Sequence, residues 1–298
     1  MKVGLAAAFG DSPLRDIGFL KAFAGIAEEC GFHSLWAPEH IVFFSSYRDP
    51  YPHTPDGVAP WKGRFGLYDP LLVCAVAACV TTRLRVGSAV VIVPERPALL
   101  TAKEVMTLDH IAGGRFDFGV GLGWSSQEYG ALGVPWEKRG RRFDEYLEAI
   151  RVAWSAEPVD FEGDFVRFEN LVLEPAPVTA GGPPMLIGGN SDFAIRRALR
   201  VGDGWIGVAT RYEDPEPLLE RVHAALERDS RLGDERFQVK LSLPYSPRNS
   251  DDDLLKLVDT VASLGLDELV IQLPVRAKSV ESDMRRWSSL LGLGVSVR

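Results

Sequence analysis

Apolar residues recur along this chain in two alternating registers. Short continuous runs of apolar and small residues, beginning with residues 3–8, have the pattern of strands buried on both faces. The segments between them place apolar residues every three or four positions. In the first, Leu14, Ile17, Phe19, Leu20, Phe23, Ile26 and Ala27 predict an amphipathic helix, capped by Asp11 or Ser12, with Pro13 in its first turn and Gly31 at its end. The same reading predicts strands over 34–37, 84–93, 115–120, 185–187, 205–208, 237–243 and 268–273. Helices are predicted over 70–80, 98–111, 142–155, 191–201, 215–228, 251–264 and 280–291, with a hairpin across 159–173.

About eight strand–helix pairs imply either a closed (β/α)8 TIM barrel or an open doubly wound sheet. Eight units in 298 residues fit the α/β barrel, with the hairpin as an insertion. No Pro/Ser-rich linker divides the chain, so a single domain over 1–298 is expected. The charge balance, 33 − 41 = −8, comes without a basic run and argues against nucleic acid or an anionic membrane as partner. The longest apolar run, 71–80, is half of a ~20-residue bilayer span. The N-terminus lacks the long apolar region of a signal peptide. Cys30, Cys74 and Cys79 have neither metal nor redox spacing and read as reduced, buried helix residues of a cytoplasmic protein.

In such a barrel the site lies where strands end and βα loops begin. Those loops start at Phe9-Gly10, Glu39-His40, Pro94-Glu95-Arg96, Gly121-Leu122-Gly123-Trp124, Gly188-Gly189-Asn190, Thr210-Arg211, Pro244-Tyr245 and Pro274. His40 directly follows the second strand, where an imidazole can donate a proton, touch a cofactor, or simply bond loop backbone. No two histidines are spaced as a metal pair, and no metal is expected. The glycine turns at 121–123 and 188–190 leave bare amides before a helix, a phosphate-binding device that also serves plain turns. Gly-Ser-Ala at 87–89 would leave room for something flat at the barrel centre, or reflect layer packing. Residues 43–68, rich in proline and aromatics, are too long for a plain connection and suggest a lid.

Taken together, several segments resemble the luciferase-like monooxygenase superfamily. They are Trp36-Ala37-Pro38-Glu39-His40, Thr81 to Val90, Thr107 to Phe116, Gly119-Val120-Gly121-Leu122-Gly123-Trp124, Gly133-Val134-Pro135 with Arg139-Gly140-Arg141-Arg142, Ile187-Gly188-Gly189 and Asp203-Gly204-Trp205. The resemblance runs from about residue 3 to 210. It implies a bacterial luciferase-like barrel, often homodimeric, that binds FMN or the deazaflavin coenzyme F420. Gly-Trp followed by Arg-Gly-Arg-Arg is most similar to the F420-dependent branch. By the same resemblance a non-proline cis peptide at Ala89-Val90 backs the cofactor ring. Ser88, Ala89, Val90, Gly121, Gly123, Trp124, Ser125, Gly188, Gly189, Asn190 and His40 then contact the cofactor.

Within that frame His40 supplies a proton beside hydride transfer, Glu39 orients it or makes a strand-end salt bridge, and Trp36, Trp61 and Trp124 wall the pocket. Arg115 and Asp109 read as a structural pair on the opposite face. Trp124 stands where sugar-phosphate dehydrogenase relatives carry an acid, which favours a more apolar substrate. Glu128, four residues on, is either its substitute or a helix surface residue. The leading expectation is an F420-dependent oxidoreductase acting on a small molecule. The alternatives are an FMN-dependent monooxygenase served by a flavin reductase and a non-catalytic flavin-binding protein.

Overall fold

A computed structural model describes residues 1–10, 15–61, 65–209, 214–230, 234, 236–244, 250–272 and 279–294. Eight parallel staves close into a barrel. Their order is β1 (Lys2–Ala6), β2 (Ser34–Ala37), β3 (Arg85–Ser88) continued by β4 (Val91–Ile92), β5 (Phe116–Gly121), β8 (Met185–Gly188), β9 (Gly204–Val208), β10 (Gln238–Pro244) and β11 (Glu268–Gln272). β1 shuts the ring by pairing with β11 and β2, with Leu5 opposite both Ile271 and Leu35. An antiparallel hairpin, β6 (Val159–Glu162) and β7 (Arg167–Leu171), stands outside it, as the sequence predicts.

Helices cover the barrel: α1 (Ile17–Glu29), α2 (Pro70–Cys79), α3 (Ala98–Ala112), α5 (Arg139–Ala153), α6 (Asp192–Val201), α7 (Glu216–Arg228), α8 (Asp251–Ser263) and α9 (Val280–Leu290). Their starts are set by ordinary caps. Asp69 Oδ1 accepts the Leu71 and Leu72 amides ahead of α2, whose first residue is Pro70. Ser250 and Asp253 form a reciprocal capping box at α8.

Several expectations are corrected. Helix α1 starts at Ile17 because Asp16 caps it through the Gly18 amide; Asp11, Ser12 and Pro13 lie outside the described residues. The strand predicted over 84–93 is two strands, divided at the cis peptide Ala89–Val90. Helix α5 begins at Arg139, a turn earlier than apolar spacing indicates. A 3-10 turn (Val93–Glu95) and a short helix, α4 (Ser126–Ala131), have no counterpart in the predicted elements. Cys30 and Cys74 are buried but Cys79, on the last turn of α2, is exposed. Arg115 and Asp109 do not pair with each other. Arg115 donates to the carbonyls of Ala78, Thr81 and Leu84, while Asp109 accepts from Thr179.

The apolar core has two zones: the layer between strands and helices, and a smaller one inside the ring, where Ala6, Trp36, Leu186, Ile206 and Val270 meet beneath Ala89 and Val90. A Cβ at Gly87 would lie 2.4 Å from the Trp36 ring, so the flat group for which Gly87 leaves room is an indole of the chain itself. Trp36 is completely buried and its N–H bonds Ser34 Oγ at 2.6 Å, so it plugs the barrel and does not wall a pocket. Below it, Lys240 Nζ lies 2.9 Å from Asp117 and 2.8 Å from Glu268, and Arg85 pairs with Asp117. Among the described residues no helix is long and apolar enough to cross a membrane.

Candidate active site

His40 leaves the C-terminal end of β2 and meets Glu128 of α4. Ser125 caps α4 by accepting the Glu128 amide at 3.3 Å, which sets Glu128 in the first turn. The carboxylate is buried and uses both oxygens. Oε2 lies 2.9 Å from His40 Nδ1, and Oε1 accepts the amides of Ile41 at 2.7 Å and Val42 at 3.2 Å. A carboxylate only accepts, so the proton of the neutral ring is assigned to Nδ1 and the Nε2 lone pair is left outward. The Trp124 indole N–H approaches that nitrogen at 3.5 Å.

Glu39, expected to orient His40, goes elsewhere. Its carboxylate accepts the Ile92 amide and a fork from Arg96, which also bonds Asp69. Burial pushes the Glu39 carboxyl upward against the pull of Arg96 and the Ile92 N–H. The residue clamps the end of β2 to the end of β4, the salt-bridge alternative in the sequence reading, and the partner of His40 is Glu128. The signal for that partner was present in the sequence: Ser125-Ser126-Gln127-Glu128 has the Ser-x-x-Glu spacing of a helix start.

The predicted cofactor residues divide into those with free faces and those already engaged. Ser88 Oγ donates to the Gly119 carbonyl, Ser125 is the α4 cap, and the Asn190 side chain brackets Val208 through both its amide atoms. Gly121 and Gly188 make room for Val90, whose methyls would lie 2.4 and 2.8 Å from a Cβ at those positions. Half-buried Ala89, Val90, Gly123, Trp124 and His40 remain on the mouth side of the core. Gly189 has φ +122°, and a Cβ there would meet only Ala194 at 3.1 Å. It precedes α6, capped by Ser191, and Arg221 donates to the Asn190 carbonyl beside it. The Arg221 guanidinium is also paired with Asp192 in the first turn of α6; bare backbone at a helix start suits the phosphate end of a flavin-type cofactor, and the apolar Ala89–Val90 step suits its ring.

The aromatic stretch after His40 folds onto it. Phe43 and Trp61 lie 5.2 and 5.5 Å from the imidazole, centre to centre, and Trp124 lies at 5.9 Å. The segment is stitched to the start of α4. Asp49 accepts the Ser126 amide and hydroxyl, and Gln127 accepts the Arg48 amide. Burial alone pushes the Tyr51 phenol up to about 12. Residues 62–64 lie outside the described residues, as do the loop positions Thr210-Arg211, Tyr245 and Pro274.

One buried acid in this region was named by the sequence only as part of a loop start, with no role. Glu95, on the 3-10 turn after β4, is 6% exposed, and neither carboxyl oxygen has a partner among the described residues. Burial, then the negative charges of Glu128 and Glu39, push its carboxyl up to about 9. Both effects favour the protonated, uncharged form of the Glu95 carboxyl. Among the described residues no group of three His, Cys, Asp or Glu is placed to hold a metal ion.

Comparison with known proteins agrees with this architecture. An uncharacterized protein of Mycobacterium tuberculosis, Rv0953c, is 33% identical over 210 residues, 70% of this chain and 74% of its own. The FMNH(2)-dependent dimethylsulfone monooxygenase of Pseudomonas putida is 31% identical over 212 residues, 70% of this chain and 53% of that enzyme. An F420-dependent secondary alcohol dehydrogenase, solved with an F420–acetone adduct, superposes with TM-score 0.74 at 15% identity over 98% of this chain and 99% of its own. The profile of the luciferase-like monooxygenase family matches residues 1–290, and the chain belongs to that family.

Proposed function

We propose that the protein is an oxidoreductase that uses the deazaflavin coenzyme F420 to move a hydride to or from a small organic substrate at the barrel mouth. The observation that carries this reading is the His40–Glu128 pair, which turns His40 Nε2 away from the carboxylate at the same end of the barrel as the apolar Ala89–Val90 step. When bound, a deazaflavin supplies the carbon that gives or takes the hydride. The chain supplies the proton. His40 Nε2 takes the hydroxyl proton of an alcohol being oxidised, or returns it to the oxygen of a carbonyl being reduced. Glu128 stabilises the imidazolium through Nδ1 and keeps the ring from turning. Phe43, Trp61 and Trp124 exclude water from that transfer. The turn at Gly189 and the half-buried Ala89 and Val90 hold the cofactor.

A second reading is favoured by the dimethylsulfone monooxygenase relative: reduced FMN from a partner reductase, with oxygen as co-substrate. Titrating the protein with F420 and, separately, FMN while following tryptophan fluorescence decides between them. Micromolar affinity for F420 with FMN much weaker supports hydride transfer. The reverse preference, with oxygen uptake on adding reduced FMN, replaces it with the monooxygenase.

A further inference from the structure

The helix that carries Glu128 cannot hold its own shape. α4 has six residues, whereas an isolated helix shorter than about 12 residues is marginal in water, and first-turn amides find no acceptor inside any helix. Two side chains supply acceptors to that turn. Ser125 takes the Glu128 amide at 3.3 Å. Asp49, from the segment that follows His40, takes the Ser126 amide at 2.7 Å and the Ser126 hydroxyl at 2.6 Å on the same oxygen, Oδ2. The next two residues of α4 reach the same segment. Gln127 Oε1 accepts the Arg48 amide at 2.6 Å, and Glu128 accepts the Ile41 and Val42 amides while it holds the His40 ring. Three consecutive residues of α4 thus bind the strap over 41–49 at both of its ends. Tyr47 and, just past the strap, Tyr51 also pack on Trp124, the residue before the α4 cap.

We propose that Asp49 is a positioning residue for the His40–Glu128 pair: its carboxylate ties the far end of the strap to the first turn of α4 and so keeps Glu128 in register with His40. The inference rests on the reading of that pair as the proton-handling part of an oxidoreductase site and adds a residue that acts on it from a distance. Glu128 is placed from two sides. Its backbone belongs to α4, and all three groups that bond its carboxylate belong to residues 40–42. Without Asp49 the helix loses the acceptor at its first amide, the strap loses a tether, and the two sides can move independently. The bond is of the charge-assisted kind, between an anion and a helix N-terminus, and Asp49 is half-buried, which limits competition from water. Asparagine keeps a carbonyl oxygen of the same reach for the Ser126 donors; alanine keeps nothing.

The test is the 15N–1H correlation of the His40 ring in the cofactor-free protein, with F420 affinity measured alongside. Asp49→Ala is expected to lose the Nδ1-protonated preference of neutral His40, with the melting temperature little changed and F420 affinity within about twofold of the unmodified protein. Asp49→Asn is expected to retain the preference. Should Asp49→Ala fail to fold, amide hydrogen exchange in the unmodified protein carries the test, with the Ser126 N–H expected to exchange about tenfold or more slowly than in an open chain. A His40 ring unaltered in Asp49→Ala overturns the proposal. So does an Asp49→Asn ring that loses the preference as fully as Asp49→Ala, or a Ser126 amide that exchanges at the open-chain rate. If the unmodified protein fails to bind F420 while the His40 tautomer still depends on Asp49, the cofactor reading falls and the positioning role stands. F420 binding with a ring indifferent to Asp49 does the opposite.

Discussion

The two ends of this barrel handle buried polarity differently. At the floor, where the strands begin, Lys240 stands between Asp117 and Glu268, Arg85 closes on Asp117, and Ser34 joins Glu268 to the Trp36 indole. Charge there is matched by charge. At the mouth Glu39 is paired with Arg96, but among the described residues His40 Nε2 has one long contact, the Trp61 N–H has none, and neither carboxyl oxygen of Glu95 is bonded. A paired buried network holds a fold together, whereas unpaired buried groups are kept at a cost that packing alone does not repay. The incompletely bonded groups lie at the end of the strands from which the βα loops of an α/β barrel arise.

The comparison breaks most visibly at the floor. Lys240→Met leaves Asp117 and Glu268 facing each other without their shared cation and is expected to cost about 3–5 kcal/mol, read as loss of the urea midpoint. The same network predicts acid sensitivity. Against the upward push of burial, Lys240 and Arg85 hold the Asp117 carboxyl below the usual aspartate range. Its contribution is therefore present at neutral pH and is lost as the pH falls through that lowered value.

At the mouth the expected effects fall on activity first. Glu128→Gln removes the anion that fixes the His40 proton on Nδ1 and is expected to lower turnover about 10²-fold, with the pH–rate profile displaced and the melting temperature little changed. Gly121→Ala sets a methyl 2.4 Å from a Val90 methyl, an overpacking expected to cost about 1–3 kcal/mol. Val90→Ala in the same chain should recover most of that cost, a coupling that a double-mutant cycle measures. Glu95→Gln alters the shape of the site least. The Glu95 carboxyl is pushed up to about 9 in the folded chain, so folding takes up a proton and stability declines as the pH rises from the ordinary glutamate value toward 9. The variant should melt at a higher temperature than the unmodified protein at pH 8, by roughly 2–4 °C for each kcal/mol relieved, and at nearly the same temperature at pH 5.

Much of the barrel was legible because buried parallel strands and amphipathic helices carry different periods, and each of the eight staves falls on a predicted strand. The resemblance named the cis step at Ala89–Val90, which divides one predicted strand into two. What a linear reading could not supply is which neighbour a side chain finds. Glu39 and His40 are adjacent in sequence yet serve different partners, Arg96 and Glu128, brought from 57 and 88 residues away. Trp36 follows the same logic: the resemblance implies a pocket wall, and only the ring of strands shows that Gly87 opens the space it fills. Helix α4 is too short for apolar periodicity to reveal and was signalled by its cap alone. Glu95 carries no motif, and its isolation emerges only when the oxygens around it are counted.

The most direct test of the central claim, that Glu128 presents His40 to the mouth with Nε2 open, is a 15N–1H correlation spectrum of the histidine rings at pH 8, assigned with His40→Gln. The account predicts that neutral His40 is protonated at Nδ1 and unprotonated at Nε2, and that Glu128→Gln abolishes this preference. A proton on Nε2 in the unmodified protein, or a tautomer indifferent to Glu128→Gln, would contradict it.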